Sequence, residues 1–290
     1  MRVLVTGAKG QLGSDLLCEL SNRNIDAIGI DIDDLDITDA KATKEVIEKI
    51  NADKRLDAVI HCAAYTAVDT AEDNEALVTK INADGTKNIA EVAKALDLSM
   101  MYISTDYVFD GEGERPWEPD DKRAPLNIYG MAKYKGELYV EELLEKYFIV
   151  RISWVFGLHG NNFIKTMLRL GKERGAVSVV NDQIGSPTYT PDLSRLLADM
   201  ILTDKYGRYH ATNEGLCSWY EFACEIFKQA GMSEVKVTPV DSSAFPVKAK
   251  RPHNSRMDKS KLSQNGFALM PTWQDALHRY LLELKSEGSL

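Results

Sequence analysis

The first 150 residues alternate short apolar runs with amphipathic stretches, and this alternation restricts the fold more than any other feature of the chain. The strand-like runs are almost continuously apolar, as strands covered on both faces of a parallel sheet must be. They occupy residues 2–6, 27–30, 58–64, 99–105 and 148–153. Helical periodicity separates them over residues 12–22, 39–51, 75–96 and 129–146. With right-handed crossovers, this order predicts an α/β fold with a doubly wound parallel sheet.

After about residue 155 the pattern changes to helices interleaved with short strands. Helices are predicted over 161–174, 191–203 and 218–230, and strands over 177–180, 208–211 and 235–240. Proline and polar residues between these segments are typical of loops. We therefore expect two units, residues 1–155 and a smaller α/β C-terminal lobe of residues 156–290, whose segments can interleave with the first unit.

Composition limits the classes of partner. The net charge of −9 argues against binding to nucleic acid or anionic membranes, which requires an excess of Lys and Arg. The four cysteines lack CxxC spacing and the five histidines lack metal-ligand spacing, so we expect free thiols and no catalytic metal. The chain begins with a strand rather than a signal peptide, and no apolar run approaches the roughly 18 residues of a membrane span. A cytoplasmic protein is expected.

A glycine-rich loop follows the first strand. In VLVTGAKGQLGSDLL, Gly7, Gly10 and Gly13 span the turn into the first helix. Glycines there allow a sharp turn and close approach of backbone N–H groups to a pyrophosphate, while the helix N-terminus attracts the same anion. Tight packing of the turn would also explain them. The strand–loop–helix context nevertheless favours a Rossmann-type dinucleotide site, although GxxGxxG differs from the general GxGxxG spacing.

The end of the second strand bears on which dinucleotide binds. Asp31 lies where an acid can accept a hydrogen bond from the adenosine ribose 2′-hydroxyl, which favours NADH. An acid there repels a 2′-phosphate, but Lys9 in the glycine loop can offset that repulsion and so accommodate NADPH. Asp31 can also be a solvated turn residue. From the sequence, the cofactor is NADPH or NADH.

Two tyrosine–lysine combinations compete within IYGMAKYKGE, residues 128–137. On a helix, Tyr129 and Lys133 share a face because they are four residues apart, whereas Tyr134 and Lys135 diverge by roughly 100°. A lysine ammonium beside a phenol lowers the phenol pKa from its ordinary value near 10 and so makes it a better acid. The pattern predicts Tyr129 and Lys133 as the reacting pair. The alternative is an ordinary helix face.

A hydroxyl group is expected beside this pair. The fourth strand ends in Ser104-Thr105-Asp106-Tyr107, and ligands of open α/β sheets bind beyond the carboxyl ends of strands. Gly7 and Ala63-Ala64 should lie at the same edge. Either Ser104 or Thr105 is then placed to hold a carbonyl oxygen near the phenol.

The order TGAKGQLG, HCAAYTAVD, INADGTKNIA, ISTDYVFDG and YGMAK resembles the extended short-chain dehydrogenases/reductases. Further motifs, RISWVFG, NDQIGSPTYTPDLS, GRYHATNEGLCSWYEFA and RPHNSRMDKSKL, resemble the dTDP-4-dehydrorhamnose reductase family along essentially the whole chain. The resemblance implies NAD(P)H-dependent reduction of the C4 ketone of dTDP-4-dehydro-L-rhamnose, the last step of dTDP-L-rhamnose synthesis. Thr105, Tyr129 and Lys133 would be catalytic, with Tyr129 as proton donor and Lys133 on the nicotinamide ribose.

The resemblance also implies binding residues. Those for the cofactor are Gly7, Lys9, Gly10, Gln11, Leu12, Gly13, Asp31, Asp36, Ala63, Ala64, Tyr65, Asn82, Tyr129 and Lys133. Those for the nucleotide sugar are Val68, Tyr107, Trp154, Asn181, Gln183, Pro187 and Arg251, the last on the diphosphate. Some related reductases dimerise through acidic residues and magnesium, but TYTPDLS offers no clear acid cluster. A monomer or homodimer is expected.

Two alternatives stay open. One is a related nucleotide-sugar epimerase or dehydratase; dehydratases of this superfamily carry further acids after the corresponding threonine, whereas Asp106-Tyr107 follow here without a Glu partner. The other is a non-catalytic subunit resembling the regulatory subunit of methionine adenosyltransferase. Intact Thr105, Tyr129 and Lys133 favour an enzyme over that binding protein.

Overall fold

The computed structural model describes residues 1–245 and 247–288. In these residues the strands are β1 Arg2–Thr6, β2 Asp26–Ile30, β3 Ala58–His61, β4 Ser99–Thr105, β5 Tyr147–Ile152, β6 Val155–Phe156, β7 Ala176–Val180, β8 Ile184–Gly185, β9 Thr188–Tyr189, β10 Gly207–His210, β11 Cys217–Ser218 and β12 Lys236–Val240. The helices are α1 Gln11–Asn22, α2 Ala40–Asp53, α3 Val68–Ala71, α4 Glu75–Thr79, α5 Thr86–Ala95, α6 Ile128–Leu143, α7 Phe163–Arg174, α8 Thr190–Ile201, α9 Trp219–Ala230, α10 Ser260–Gln264 and α11 Trp273–Ser286. Lys80–Gly85 is a π-helix, and Asp106–Val108 and Ser242–Ala244 are 3-10 turns.

Six strands form one parallel sheet in the order β10-β5-β4-β3-β1-β2. Chain order reverses between β1 and β3, so the ends of these strands and the loops after them enclose a crevice. The register places Ser104 opposite Arg151, and Thr6 opposite His61. The α/β, doubly wound fold predicted from the apolar pattern is confirmed.

Helices cover both faces of this sheet, which explains why its strands are almost wholly apolar. One core lies between the sheet, α1 and α8, and a second lies between the sheet, α2, α5 and α6. Val3 and Val5 of β1 face the first core, whereas Leu4 faces the second. All seven residues of β4 are buried. Polar side chains inside the strands, such as Arg151, are therefore buried in the protein, whereas those at the strand ends can face a ligand.

The C-terminal half of the chain contributes to the large sheet and also forms a separate core. β10 pairs with β5 and α8 packs on α1, so residues 190–210 complete the large sheet and its cover. A separate core joins α7, α9 and α11 with the parallel pair β7 and β12. The helix α11 is absent from the elements predicted by the sequence pattern. No helix in the described ranges is long and apolar enough to cross a membrane.

Candidate active site

A cavity of about 1010 Å³ opens at the carboxyl ends of the central strands. Most of the site residues predicted from the sequence line it: Gly7, Lys9, Gly10, Gln11, Leu12, Gly13, Asp31, Asp36, Ala63, Ala64, Tyr65, Val68, Thr105, Tyr107, Tyr129, Lys133 and Trp154. The fold therefore brings together segments more than 140 residues apart, from the glycine loop to the loop after β5.

The glycine loop is shaped for close backbone approach. Gly7 has φ +69°, and a Cβ added to it would lie 2.7 Å from the backbone nitrogen of Ala63. A Cβ on Gly13 would overlap the carbonyl oxygen of Gly7. Gly10 is the N-cap of α1 and has no side chain to cap the first N–H groups. These donors, together with the positive end of the helix dipole, form an anion site at the cavity wall.

The carboxylate of Asp31 closes one end of the cavity. It accepts hydrogen bonds from the backbone nitrogens of Lys9 and Ile32, both at 2.8 Å. The Lys9 ammonium lies 2.6 Å from the Asp33 carboxylate. Asp34 in turn accepts from the backbone nitrogen of Asp31 at 3.0 Å. Acidic groups therefore surround the single lysine of the glycine loop.

Tyr129 is held at the opposite end by the first turn of α6. The Asn127 side chain caps this helix by accepting from the Gly130 nitrogen at 2.8 Å, so Tyr129 points into the cavity from a defined turn. Burial and the nearby charge of Asp106 raise the pKa of Tyr129, whereas the neighbouring Thr105 hydroxyl lowers it. The phenol is thus protonated at neutral pH. That Lys133 lowers this pKa stays a prediction.

Lys133 lies one turn along the same face and is 2% exposed. Its Nζ is 4.1 Å from the centre of the Tyr102 ring. Burial lowers the pKa of Lys133 to about 7, and the carboxylate of Glu137 opposes that effect. Glu137, a further turn on, accepts from Nε and Nη2 of Arg151 at 2.8 Å each and from Arg123 at 2.9 Å.

Glu137 is a functional candidate that is absent from the residues predicted from the sequence. The signal was available, because Tyr129, Lys133 and Glu137 repeat at four-residue spacing on one helix face. Its partner Arg151 comes from β5, and this contact requires the tertiary fold.

The two hydroxyl candidates after β4 have different partners. Ser104 donates to Glu137 at 2.6 Å, so its hydroxyl turns toward the buried ion pairs. Thr105 donates to Asp106 at 2.9 Å, accepts from the Tyr107 nitrogen at 3.2 Å, and lies close enough to the Tyr129 phenol to lower its pKa. Asp106 also accepts from Ser255 at 2.5 Å, while burial raises its pKa to about 6. Of the two hydroxyls, Thr105 is the one that influences the phenol, whereas Ser104 belongs to the buried ion pairs.

Aromatic side chains border the cavity near Tyr129. The Tyr107 ring meets the Tyr129 ring edge-on, with centres 5.7 Å apart. Trp154 has φ +51°, unusual for a bulky residue, and stacks on Trp219 with ring centres 3.7 Å apart. Backbone strain of this kind persists where packing fixes it and is common in binding sites.

Five predicted residues lie outside the cavity lining. Asn82 is buried behind it and exchanges hydrogen bonds with the Tyr65 backbone, at 2.7 and 3.0 Å. Arg251 binds Asp69 at 2.7 Å, and its charge opposes the rise in the Tyr107 pKa that burial causes. The remaining three, for which substrate contact stays a prediction, are Asn181, which accepts from Ser218, Gln183, which donates to Ser242, and Pro187, whose carbonyl accepts from the Asn213 nitrogen.

Comparison with known proteins identifies the family. The family model described as RmlD substrate binding domain matches residues 1–286. A dTDP-4-dehydrorhamnose reductase of Aggregatibacter actinomycetemcomitans is 40% identical over 95% of this chain and 97% of that protein. The solved dTDP-4-dehydrorhamnose reductase of Clostridium acetobutylicum matches with a TM-score of 0.93 and 43% identity over 98% of this chain and 100% of that one. The Bacillus anthracis reductase, solved in complex with NADP, matches with a TM-score of 0.93 and 47% identity over 97% and 99%. The chain therefore belongs to the RmlD substrate binding domain family, the dTDP-4-dehydrorhamnose reductases that its motifs predict.

Proposed function

We propose that this protein reduces the C4 ketone of dTDP-4-dehydro-L-rhamnose to dTDP-L-rhamnose with NAD(P)H, the last step of dTDP-rhamnose biosynthesis. One observation carries the proposal: a single cavity joins an uncapped glycine loop to Thr105, Tyr129 and Lys133. Full-length relatives named as this reductase support it and do not support the alternatives, an epimerase or dehydratase and a non-catalytic subunit.

The glycine loop fits a dinucleotide. Because Gly7 and Gly13 have no Cβ, the loop can turn close to Ala63 without a clash. The free N–H groups at the start of α1 suit a pyrophosphate. NAD(P)H bound there supplies the hydride. Lys133 would donate hydrogen bonds to the nicotinamide ribose hydroxyls, and its position in the lining of the same cavity supports this role.

Tyr129 is the proton donor to the ketone oxygen. Burial keeps its phenol protonated, which reduction requires. The alkoxide that forms is a much stronger base than a phenolate, since the parent alcohol resembles water with a pKa near 15.7, so proton transfer from Tyr129 remains favourable. Thr105 holds the same oxygen by a hydrogen bond and orients it toward the phenol.

The sugar lies between Tyr129 and the aromatic border. Val68, Tyr107 and Trp154 contact its ring, and their position in the cavity lining supports this assignment. Arg251 binds the diphosphate by exchanging Asp69 for phosphate oxygens. The nucleotide sugar is the partner proposed here. We further propose that the protein is cytoplasmic, is a monomer or homodimer, and does not bind nucleic acid.

The test is NAD(P)H oxidation in an assay coupled to the upstream dehydratase and epimerase, which generate the keto sugar. Oxidation is expected only when that sugar forms, and no turnover with either cofactor refutes the function. Tyr129→Phe should lower kcat by about 10²-fold or more. Tyr134→Phe is the matched control, because its ring packs under Arg123 outside the cavity lining and activity should persist. Equal losses in both variants contradict the role of Tyr129.

A further inference from the structure

Asn127 uses both ends of its side-chain amide. The oxygen caps α6 by accepting from the Gly130 nitrogen at 2.8 Å, and this first turn carries Tyr129. The Nδ2 group donates to the Lys250 carbonyl, also at 2.8 Å. Asn127 is 7% exposed, so both bonds are largely protected from water. One buried amide therefore fastens the start of the helix with the proton donor to a segment 123 residues away in sequence.

That segment, residues 250–255, is fastened at its other end to the turn after β4, and we call it the strap. The Ser255 hydroxyl donates to one oxygen of the Asp106 carboxylate at 2.5 Å, and Thr105 donates to the other oxygen at 2.9 Å. Ser255 and Asp106 are each 2% exposed. The strap thus contacts the two elements that carry Thr105 and Tyr129.

Arg251 is the residue of the strap proposed to bind the diphosphate. Its Nη2 lies 2.7 Å from the Asp69 carboxylate of α3. Its Nε is buried and has no hydrogen-bond partner among the residues that the structure describes. Glu72, just after α3, accepts from the backbone nitrogen of Ile128, the first residue of α6, at 2.9 Å. When a diphosphate replaces Asp69 on Arg251, this route through α3 is broken, and the hydrogen bond of Asn127 still joins the strap to α6.

We propose that Asn127 is a positioning residue that couples diphosphate binding at Arg251 to the placement of Tyr129. The inference deepens the proposed function and rests on it, because it assumes a nucleotide sugar in this cavity. A diphosphate on Arg251 fixes the strap, and the Asn127 amide holds the first turn of α6 against it. The phenol then meets the ketone oxygen in a defined position, where a misplacement of about 1 Å costs about 10²-fold in rate.

Asn127→Asp removes the donor and keeps the cap, since aspartate and asparagine cap helices about equally well. The new carboxylate also repels the Lys250 carbonyl oxygen. In the coupled assay we expect kcat to fall by about tenfold, because the first turn of α6 is no longer held to the strap. The dissociation constant for NAD(P)H should stay almost unchanged. Asn127→Ser caps the helix without adding a charge, and it should lower kcat in the same way.

Asn162→Asp is the matched control. Asn162 caps α7 by accepting from the Lys165 nitrogen at 3.1 Å, and its Nδ2 donates to the Gly157 carbonyl at 3.0 Å and to the Tyr280 hydroxyl at 2.9 Å. The substitution therefore removes the same kind of bond from a helix cap, at a residue outside the cavity lining. We expect a similar change in the urea midpoint and an unchanged kcat.

A double-mutant cycle with Arg251→Gln measures the coupling. If both residues act through the strap, the combined loss of kcat is smaller than the product of the separate losses, because Arg251→Gln already releases the strap from the diphosphate. A combined loss equal to that product, or the same kcat in Asn127→Asp and Asn162→Asp, overturns the coupling alone. Absence of turnover in the unaltered protein overturns the proposed function, and the coupling with it.

Discussion

Replacing Glu137 by Gln tests whether the buried ion pairs behind the site control the charge of Lys133. Burial alone would raise the pKa of Glu137, but Arg151, Ser104 and Arg123 lower it to about 2. The carboxylate is therefore charged at neutral pH and opposes the loss of the Lys133 proton. Glutamine retains the shape and removes the charge.

The size of the effect follows from helix geometry. Side chains four residues apart have Cβ atoms about 6 Å apart, and two unit charges at that distance interact by about 3 kcal/mol at an effective dielectric constant of 20. One pKa unit corresponds to about 1.36 kcal/mol. Because solvent and relaxation reduce the interaction, we expect the Lys133 pKa to fall by about one pH unit or more from its value of about 7.

The assay is the dissociation constant for NADH as a function of pH. In the unaltered protein, binding should weaken as pH rises through about 7, because Lys133 loses its positive charge. In Glu137→Gln the weakening should begin about one pH unit lower. Glu141→Gln is the matched control: Glu141 lies one turn further on, binds Arg123 at 2.9 Å and Arg208 at 2.6 Å, and is not among the groups that affect Lys133.

Urea denaturation measures the structural cost separately. Loss of one partner from a buried ion pair destabilises by about 3–5 kcal/mol, and at pH 7 we expect about 3 kcal/mol for Glu137→Gln, since the amide oxygen still accepts from Arg151. The folded pKa of Glu137 lies below its ordinary value of 4.5, so this stabilisation is complete above that value and is lost as pH falls toward about 2. If the NADH-binding profiles of Glu137→Gln and Glu141→Gln coincide, Glu137 is a structural residue without influence on Lys133.

Two further substitutions test the remaining walls of the cavity. Gly13→Ala should abolish NADH binding, measured by equilibrium titration of nicotinamide fluorescence. The new methyl group overlaps the Gly7 carbonyl and forces the glycine loop apart. An unchanged dissociation constant for NADH contradicts this prediction. Trp219→Ala should raise the KM for the nucleotide sugar about five- to tenfold with little change in NADH binding, since an aromatic pair contributes about 1 kcal/mol and Trp154 loses the ring that holds it at φ +51°. Equal effects on sugar and cofactor would show general unfolding instead.

The elements of the large sheet are predictable because burial on both faces leaves long apolar runs. β1 and β4 have the predicted bounds, 2–6 and 99–105. The pairing of β10 with β5 is not predictable in the same way, since four residues at 207–210 do not specify which sheet they join. The helix α11 left a usable signal, with buried Trp273 followed at helical spacing by Ala276, Leu277 and Tyr280.

The sequence predicts only some of the residues that line the cavity. Strand ends and the glycine loop must meet at one edge of the sheet, so the lining from Gly7 to Thr105 could be anticipated. The pairing of charged side chains could not be anticipated from the sequence, because it depends on which side chains the folded loops bring close together. The turn after β2 brings Asp33 to Lys9, a pairing that the sequence alone does not specify. The role of Lys9 beside a 2′-phosphate stays a prediction.

The two tyrosine–lysine combinations of α6 have the same composition, but helix geometry gives them different surroundings. Tyr129 and Lys133 line the cavity, whereas Tyr134 packs beneath Arg123 and Lys135 is exposed. Since the same helical repeat continues from Lys133 to Glu137, the face that presents the proton donor also reaches the buried ion pairs. A change of charge at Glu137 should therefore alter cofactor binding at Lys133, one turn earlier on the same face. The tyrosine and lysine outside this face should have no such influence.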